Sequence, residues 1–298
     1  MTICRLCKEP KTLVLSHVMP NFAVKAARDQ SFADQFISHE ETPKLVQQAF
    51  RRDLLCSDCD GKRIGNLESE FCKQIFNPFR QGQRLHVHYD SWLLGFAVSL
   101  AWRATIVHLE DGLITSKSDA MHLRKACHTW RQFLLGRSRN PGLYQHHLHL
   151  FDVDEIDRQL NAVRHKFEPD LKQGFYAWMV GHIGPSILRG SGKSSGQLAI
   201  LAKFANGVLL SYINPHWQHR PCIGSSGVLD LSNQLIDPEL VGTCRALHLK
   251  ALHQVEFNAS EELKSSIQRK NREQISKSKV TGHKRLQTHQ KDQQLPVG

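Results

Sequence analysis

Two cysteine pairs carry the most legible chemistry of the chain: Cys4-Arg5-Leu6-Cys7 and Cys56-Ser57-Asp58-Cys59. A C-x-x-C spacing lets one tight turn aim two thiolates at a single ion. Two such turns supply the four sulfurs of a closed tetrahedral zinc site. A full sulfur shell leaves no position open for substrate, so zinc at Cys4, Cys7, Cys56 and Cys59 is expected to be structural. One pair alone is shared with redox motifs; the second moves the reading to metal. The 48 residues between Cys7 and Cys56 can hold a hairpin, a helix and a loop before the site closes, and they include Ser16-His17-Val18-Met19-Pro20. Cys72, Cys127, Cys222 and Cys244 lack metal spacing and read as buried free thiols.

The elements that must position these residues follow from local pattern. Leu13-Val14-Leu15 suits a strand that delivers Ser16-His17 at its end, and Pro20 stops it. Asn21 to Phe36 has helix-like spacing, His39 to Lys44 reads as a loop, and Leu54-Leu55 leads into the second knuckle. Asp60 is placed to cap a helix beginning at Gly61, with Ile64, Leu67, Phe71 and Ile75 along one stripe, ending before Asn77-Pro78. Further on, Ser91 to Leu109 is expected to be a buried helix, interrupted by Arg103 and His108 and so not a membrane span. Asp119 is expected to cap the next helix, whose apolar face runs Leu123, Ala126, Cys127, Trp130, Phe133 and Leu134. Asp154 starts a third with Ile156, Leu160 and Val163. Trp92, Trp102 and Trp130 read as core. Leu198–Phe204 and Val208–Ile213 flank Asn206-Gly207, a strong hairpin signal. A second hairpin is expected across Ser232-Asn233-Gln234, then a helix over Asp237 to His253.

At 298 residues the chain is long enough for a well-buried core, and 40% hydrophobic with 22% charged residues is ordinary for a globular protein. The implied architecture is α+β. A zinc-bound module spans 1–78, a mainly helical region 79–190, hairpins and a helix 191–260, and a disordered basic tail 261–298. Net charge is +11, and from Lys264 to Lys291 nine Lys and Arg stand against one acid, so this stretch alone contributes +8. Such a tail attracts phosphate backbones through counterion release, although a merely solvated terminus has the same composition. Met1 leads straight into the first knuckle without a secretory signal, and the paired cysteines suit a reducing compartment, so a cytoplasmic location is expected.

Taken together, C-x-x-C, a strand ending in S-H-V-x-P, then L-L-C-x-x-C-D and a helix resemble the zinc-bearing form of the HNH (ββα-metal, treble-clef) endonucleases, over roughly residues 4–76. The likeness is greatest to uncharacterised bacterial proteins with a C-x-x-C…S-H-I-I-P…L-L-C-x-x-C-E signature. The resemblance implies that His17 is the general base that activates water, a role an imidazole fits because its pKa lies near the working pH. It also implies a catalytic Mg²⁺ or Mn²⁺ ion beside the structural Zn²⁺. Two positions depart from the family pattern. Ser16 stands where a metal-binding acid is expected, and Asp60 where the family has asparagine. A single-carboxylate site on Asp60 results, with Glu68, two helical turns on, as a second acid. Competing readings stay open: His17 bonding a backbone carbonyl, Asp60 as a helix cap only, and Glu68 facing solvent.

Two other motifs fail on spacing. Gly190-Ser191-Gly192-Lys193-Ser194 ends like a phosphate-binding loop but has Ile187 where that motif needs glycine. His146-His147-Leu148-His149 beside Asp152 lacks the i, i+4 spacing of a helical metal site and reads as a surface segment. The function expected is therefore hydrolysis of nucleic-acid phosphodiester bonds, with DNA favoured over RNA, a defence or mobile-element context, and phosphate contacts at Lys62, Arg63, Lys270 and Arg272. A protein partner is compatible; a membrane is not expected. The rivals are a catalytically silent nucleic-acid-binding module and a partner-binding component.

Overall fold

The computed structural model describes residues 2–30, 36–37, 45–46, 51–83, 86–150, 183–189, 196–213 and 222–231, with Leu247, Glu261 and Ser265 as isolated positions. The helix expected from Asp154, the loop at His39–Lys44, the Gly190–Ser194 stretch, the hairpin at Ser232–Gln234 and Cys244 lie outside these residues. So do the helix expected over Asp237–His253 apart from Leu247 and the basic tail, with Lys270 and Arg272, apart from Glu261 and Ser265; these three positions are helical.

Strand β1 (Leu13–His17) pairs antiparallel with β4 (Arg51–Cys56), from Leu13 opposite Cys56 to His17 opposite Arg51, with an irregularity between Val14 and Leu15. Helix α1 (Asn21–Gln30) starts directly after Pro20, whose carbonyl accepts from the N–H groups of Ala23 and Val24. It is shorter than the 21–36 expected, because Phe36–Ile37 forms a strand, β2, paired with β3 (Leu45–Val46). Cross-strand pairing there overrides the helical spacing.

The second knuckle opens a continuous helix, α2, built from four consecutive segments: Asp58–Ile64, Gly65–Phe71, Cys72–Phe76 and Asn77–Arg80. It begins three residues before the expected start at Gly61. Ser57 precedes it without a side-chain cap bond, and Asp60 lies inside the first turn rather than capping it. It also runs past Asn77-Pro78. A wide turn, with the Asn77 N–H bonded to the Cys72 carbonyl, precedes Pro78 and accommodates its ring and missing donor. The expected stripe is present: Ile64, Phe71 and Ile75 are buried and Leu67 packs at its edge.

After β5 (His86–Tyr89) comes helix α3 (Ser91–Glu110), capped by the Asp90 carboxylate accepting from the Trp92 N–H. This is a helix long and apolar enough to cross a membrane by composition, but 78% of its apolar window is buried inside the fold. It is the central core helix. Helix α4 (Lys117–Leu134) is capped by Ser116, whose hydroxyl accepts from the Asp119 N–H, so Asp119 sits in the first turn and is not the cap. Trp102 and Trp130 are fully buried and Trp92 packs at the margin.

A four-stranded antiparallel sheet, in the order β6-β9-β8-β7, covers the core helix. Its strands are β6 (Gln145–Leu150), β7 (Gly184–Arg189), β8 (Leu198–Phe204) and β9 (Gly207–Tyr212). A further strand, β10 (Gly227–Asp230), pairs with β5. The fold is therefore mixed α+β, and among the described residues the middle region carries β5, β6 and β7 besides α3 and α4. Pro185 is tolerated because β7 is an edge strand. The β8–β9 hairpin turns on Ala205-Asn206, one residue earlier than expected, since Gly207 already pairs with Phe204. A Cβ on Gly207 would run into the Phe204 ring, so this position needs glycine for close approach of the ring.

One apolar cluster runs from Cys4 to Leu231. At its centre Phe22, Phe71, Phe76, Phe96 and Phe204 meet, with Phe71 and Phe96 stacked at 3.9 Å between centroids. This joins the cysteine module to the core helix and the sheet.

His146 and His147 are buried in β6, not on a surface segment. Successive residues His146, His147 and Leu148 are buried, so the alternation of a half-covered strand does not apply. His146 Nδ1 lies 2.9 Å from Ser211 Oγ, and its ring packs against Trp130. Burial, with the adjacent His147, pushes its pKa down to about 3 from 6.5. The fold therefore holds the neutral ring. Its contribution is complete above the unfolded pKa and is lost as pH falls from about 6.5 toward about 3. Between pH 6.5 and 5 this amounts to about 2 kcal/mol. A His146→Gln variant should lose that part of the acid slope in urea titrations at the two pH values; an unchanged slope would contradict it.

Candidate metal centre and the adjoining His17 site

The first knuckle is a tight loop in which the Cys4 N–H donates to the Glu9 carbonyl and the Lys8 N–H to the Cys4 carbonyl. Lys8 takes the left-handed conformation, φ 67°, that turns the chain after the second cysteine. The Arg5 N–H donates to the Leu54 carbonyl, which ties the knuckle to β4 beside the second pair. The second knuckle spans the end of β4 and the first turn of α2.

These elements bring the sulfurs of Cys4, Cys7, Cys56 and Cys59 within 4.8 Å of one another. A tetrahedral shell with Zn–S near 2.3 Å needs sulfurs about 3.8 Å apart, so a small contraction closes it. The set can hold a metal such as zinc. Three of the four are buried, with Cys7 half-buried, and the Cys56 N–H points at Cys4 Sγ from 3.4 Å. Burial alone would raise the Cys4 thiol, but backbone N–H groups from Cys56, Cys7 and Leu6 bring it down to about 7, toward the thiolate a metal requires. Cys7 and Cys59 are pushed up, chiefly by burial. Of the remaining thiols, Cys127 is buried and pushed up to about 12, Cys72 is half-buried, and Cys222 is exposed, against the expectation that all are buried.

His17 ends β1 beside the first turn of α2. Its carbonyl accepts from Arg103 Nη1 at 2.8 Å, so the backbone, not the ring, makes the structural bond. The ring Nε2 accepts from Arg51 Nε at 2.9 Å. Burial, then the Arg51 charge, lowers the His17 pKa below 6.5; Asp60 opposes this and Arg103 adds to it. His17 thus stands within the electrostatic reach of one carboxylate and two guanidinium groups.

Ser16 is fully buried, and its hydroxyl donates back to the Val14 carbonyl at 3.3 Å, turned into its own strand. Asp60 is half-buried, one residue beyond Cys59. Glu68 does not face solvent: Oε1 lies 2.6 Å from Arg103 Nη2, and that guanidinium is 2% exposed. Arg103 therefore links α2, the core helix and the end of β1. Lys62 is exposed and pairs with Asp58 at 2.9 Å, whereas Arg63 donates to the Leu134 carbonyl at 3.0 Å, closing the C-terminal end of α4. Sequence reading missed Arg51 and Arg103. Their partners are 34 and 86 residues away for His17 and 35 for Glu68, beyond any local periodicity.

No family model matches the chain, and no curated protein or solved structure matches it.

Proposed function

We propose that residues 4–80 form an HNH-like, treble-clef module of the ββα-metal type, stapled by structural zinc, which hydrolyses phosphodiester bonds in nucleic acid. The observation that carries this reading is the convergence of His17 and Asp60 beside the four-cysteine cluster, with Arg51 on the ring. In the reaction, water attacks phosphorus, the bond to the 3′ oxygen breaks, and His17 accepts the attacking water's proton through a ring nitrogen. Asp60 offers the carboxylate that a Mg²⁺ or Mn²⁺ ion prefers, and the shell would be completed by water and phosphate oxygens. Such an ion, when bound, polarises the phosphoryl oxygen and stabilises the leaving oxygen. Glu68, engaged by Arg103, acts through the scaffold. DNA is the preferred substrate class, and the basic tail adds affinity without sequence preference.

The inward hydroxyl of Ser16 and the engaged carboxylate of Glu68 favour a second reading, a binding module without catalysis. Incubation with supercoiled plasmid, single-stranded DNA and RNA, with Mg²⁺, Mn²⁺ or EDTA, separates the two. Ion-dependent cleavage should fall by about a hundredfold or more in His17→Ala, within the span of general-base effects. Asp60→Ala should lower cleavage and raise the ion concentration it needs, while zinc is retained. Cleavage unchanged in Asp60→Ala removes Asp60 as a ligand, and salt-sensitive binding without cleavage selects the binding module.

A further inference from the structure

The strongest unassigned contact in the site is the one between Arg51 and His17. The two residues are direct cross-strand partners at the open end of the β1–β4 pair. Arg51 Nε donates to His17 Nε2, so that nitrogen carries the lone pair and the ring proton sits on Nδ1. The lone pair that would accept a proton from water is occupied. Only one guanidinium nitrogen is used in this contact; among the described residues neither terminal amino group has a side-chain partner. A guanidinium with one N–H spent and its planar fork available is suited to an anion with paired oxygens, and phosphate is the match in geometry and charge. Glu68 does not compete for it, since that carboxylate is held by Arg103.

We propose that Arg51 is the phosphate-recognising residue of the site and a gate on His17: in the free protein it caps Nε2, and it leaves the ring when its fork engages a phosphodiester. This rests on the reading of His17 as the base. It goes beyond that reading by naming the group that grips the substrate and the event that exposes the base. The move is a side-chain rotation at a half-buried position, and it requires no change in the hairpin. Water meeting the empty site finds no free base, which confines hydrolysis to the phosphate-bound state.

The test follows the His17 ring-nitrogen NMR signals at one fixed pH in the intact zinc-loaded chain, in EDTA-free buffer without Mg²⁺ or Mn²⁺. Inorganic phosphate is titrated in one arm and a short DNA duplex in the other. Release of the cap should move the Nε2 signal toward that of a free acceptor in both arms, at lower concentration with the duplex. In Arg51→Met the signal should already be at the free position and should not respond. Arg51→Lys, a point charge without the fork, should restore only part of the response. Duplex affinity should fall by about tenfold in Arg51→Met, with the salt slope reduced by about one phosphate contact. An Nε2 signal unmoved by both probes, or equal responses in wild type and Arg51→Met, overturns the inference. Cleavage is not needed for this readout. A chain that shows the ring response but never cleaves retains the Arg51 gate as a phosphate sensor and loses the nuclease reading.

Discussion

Cys56→Ser is expected to abolish zinc binding and to lower the melting temperature by about 10 °C or more, at roughly 2–4 °C per kcal/mol for a chain of this size. The magnitude follows from where the cluster sits. Cys4, Cys56 and Cys59 are 0%, 1% and 5% exposed and belong to the same apolar cluster as the core helix. Structural zinc contributes folding free energy of about 10 kcal/mol in small fingers; part of that is retained here by the packing around the cluster, so a fraction is expected to be lost. Among the described residues the first knuckle is tied to the rest of the fold by the Arg5 N–H to Leu54, the Cys56 N–H to Cys4 Sγ, the Arg5–Glu110 ion pair and the burial of Leu6, with the Ile3–Pro10 bridge closing it locally. Elemental analysis of wild type should give one zinc per chain, and chelation should reproduce the Cys56→Ser melting curve. Cys127→Ser, outside the cluster, should retain the zinc. Wild type without zinc, and with the same melting curve as Cys56→Ser, would show that the four thiols are not a metal site.

What sequence could and could not show divides along distance in the chain. The knuckles were legible because each is complete within four residues, and the stripe of α2 because its period is local. Boundaries failed where a distant residue decides them. The Ala205-Asn206 turn is set one residue early by the Phe204 ring lying over Gly207, and Pro78 continues a helix because a wide turn precedes it. The metal-like run His146-His147-Leu148-His149 was misplaced on the surface because burial on both faces of a strand has no signature in alternation. Of the candidate site, sequence pointed to His17, Asp60 and Glu68 as residues, but not to their partners. Arg51 reaches His17 through hairpin register, and Arg103 reaches both His17 and Glu68 through helix packing. An arginine inside an apolar helix reads as an interruption. Only the fold shows that it is the hub.

Arg103→Leu is the second large effect expected. It removes the guanidinium that pairs with Glu68 at 2.6 Å and donates to the His17 carbonyl at 2.8 Å. Breaking a buried ion pair from one side costs about 3–5 kcal/mol, because the remaining charge is left uncompensated. Glu68→Leu alone should cost a comparable amount, since Arg103 is then a buried charge without its counter-ion, left with only the Ser99 and His17 carbonyls. The double variant should recover much of the loss, because apolar side chains of similar volume replace a buried pair at little net cost. Urea titrations of the four proteins give the coupling free energy directly. Recovery of stability would not restore the bond to His17. If that bond serves only to hold the fold, the double variant should bind duplex and move its His17 ring signal like wild type. If it sets the strand end that presents the ring to Arg51, the double variant should fold normally and still show an altered His17 signal. Additive losses, with no recovery, would mean that Arg103 stabilises mainly through its carbonyl bonds to Ser99 and His17. Glu68 would then be a bystander to the site rather than part of its scaffold.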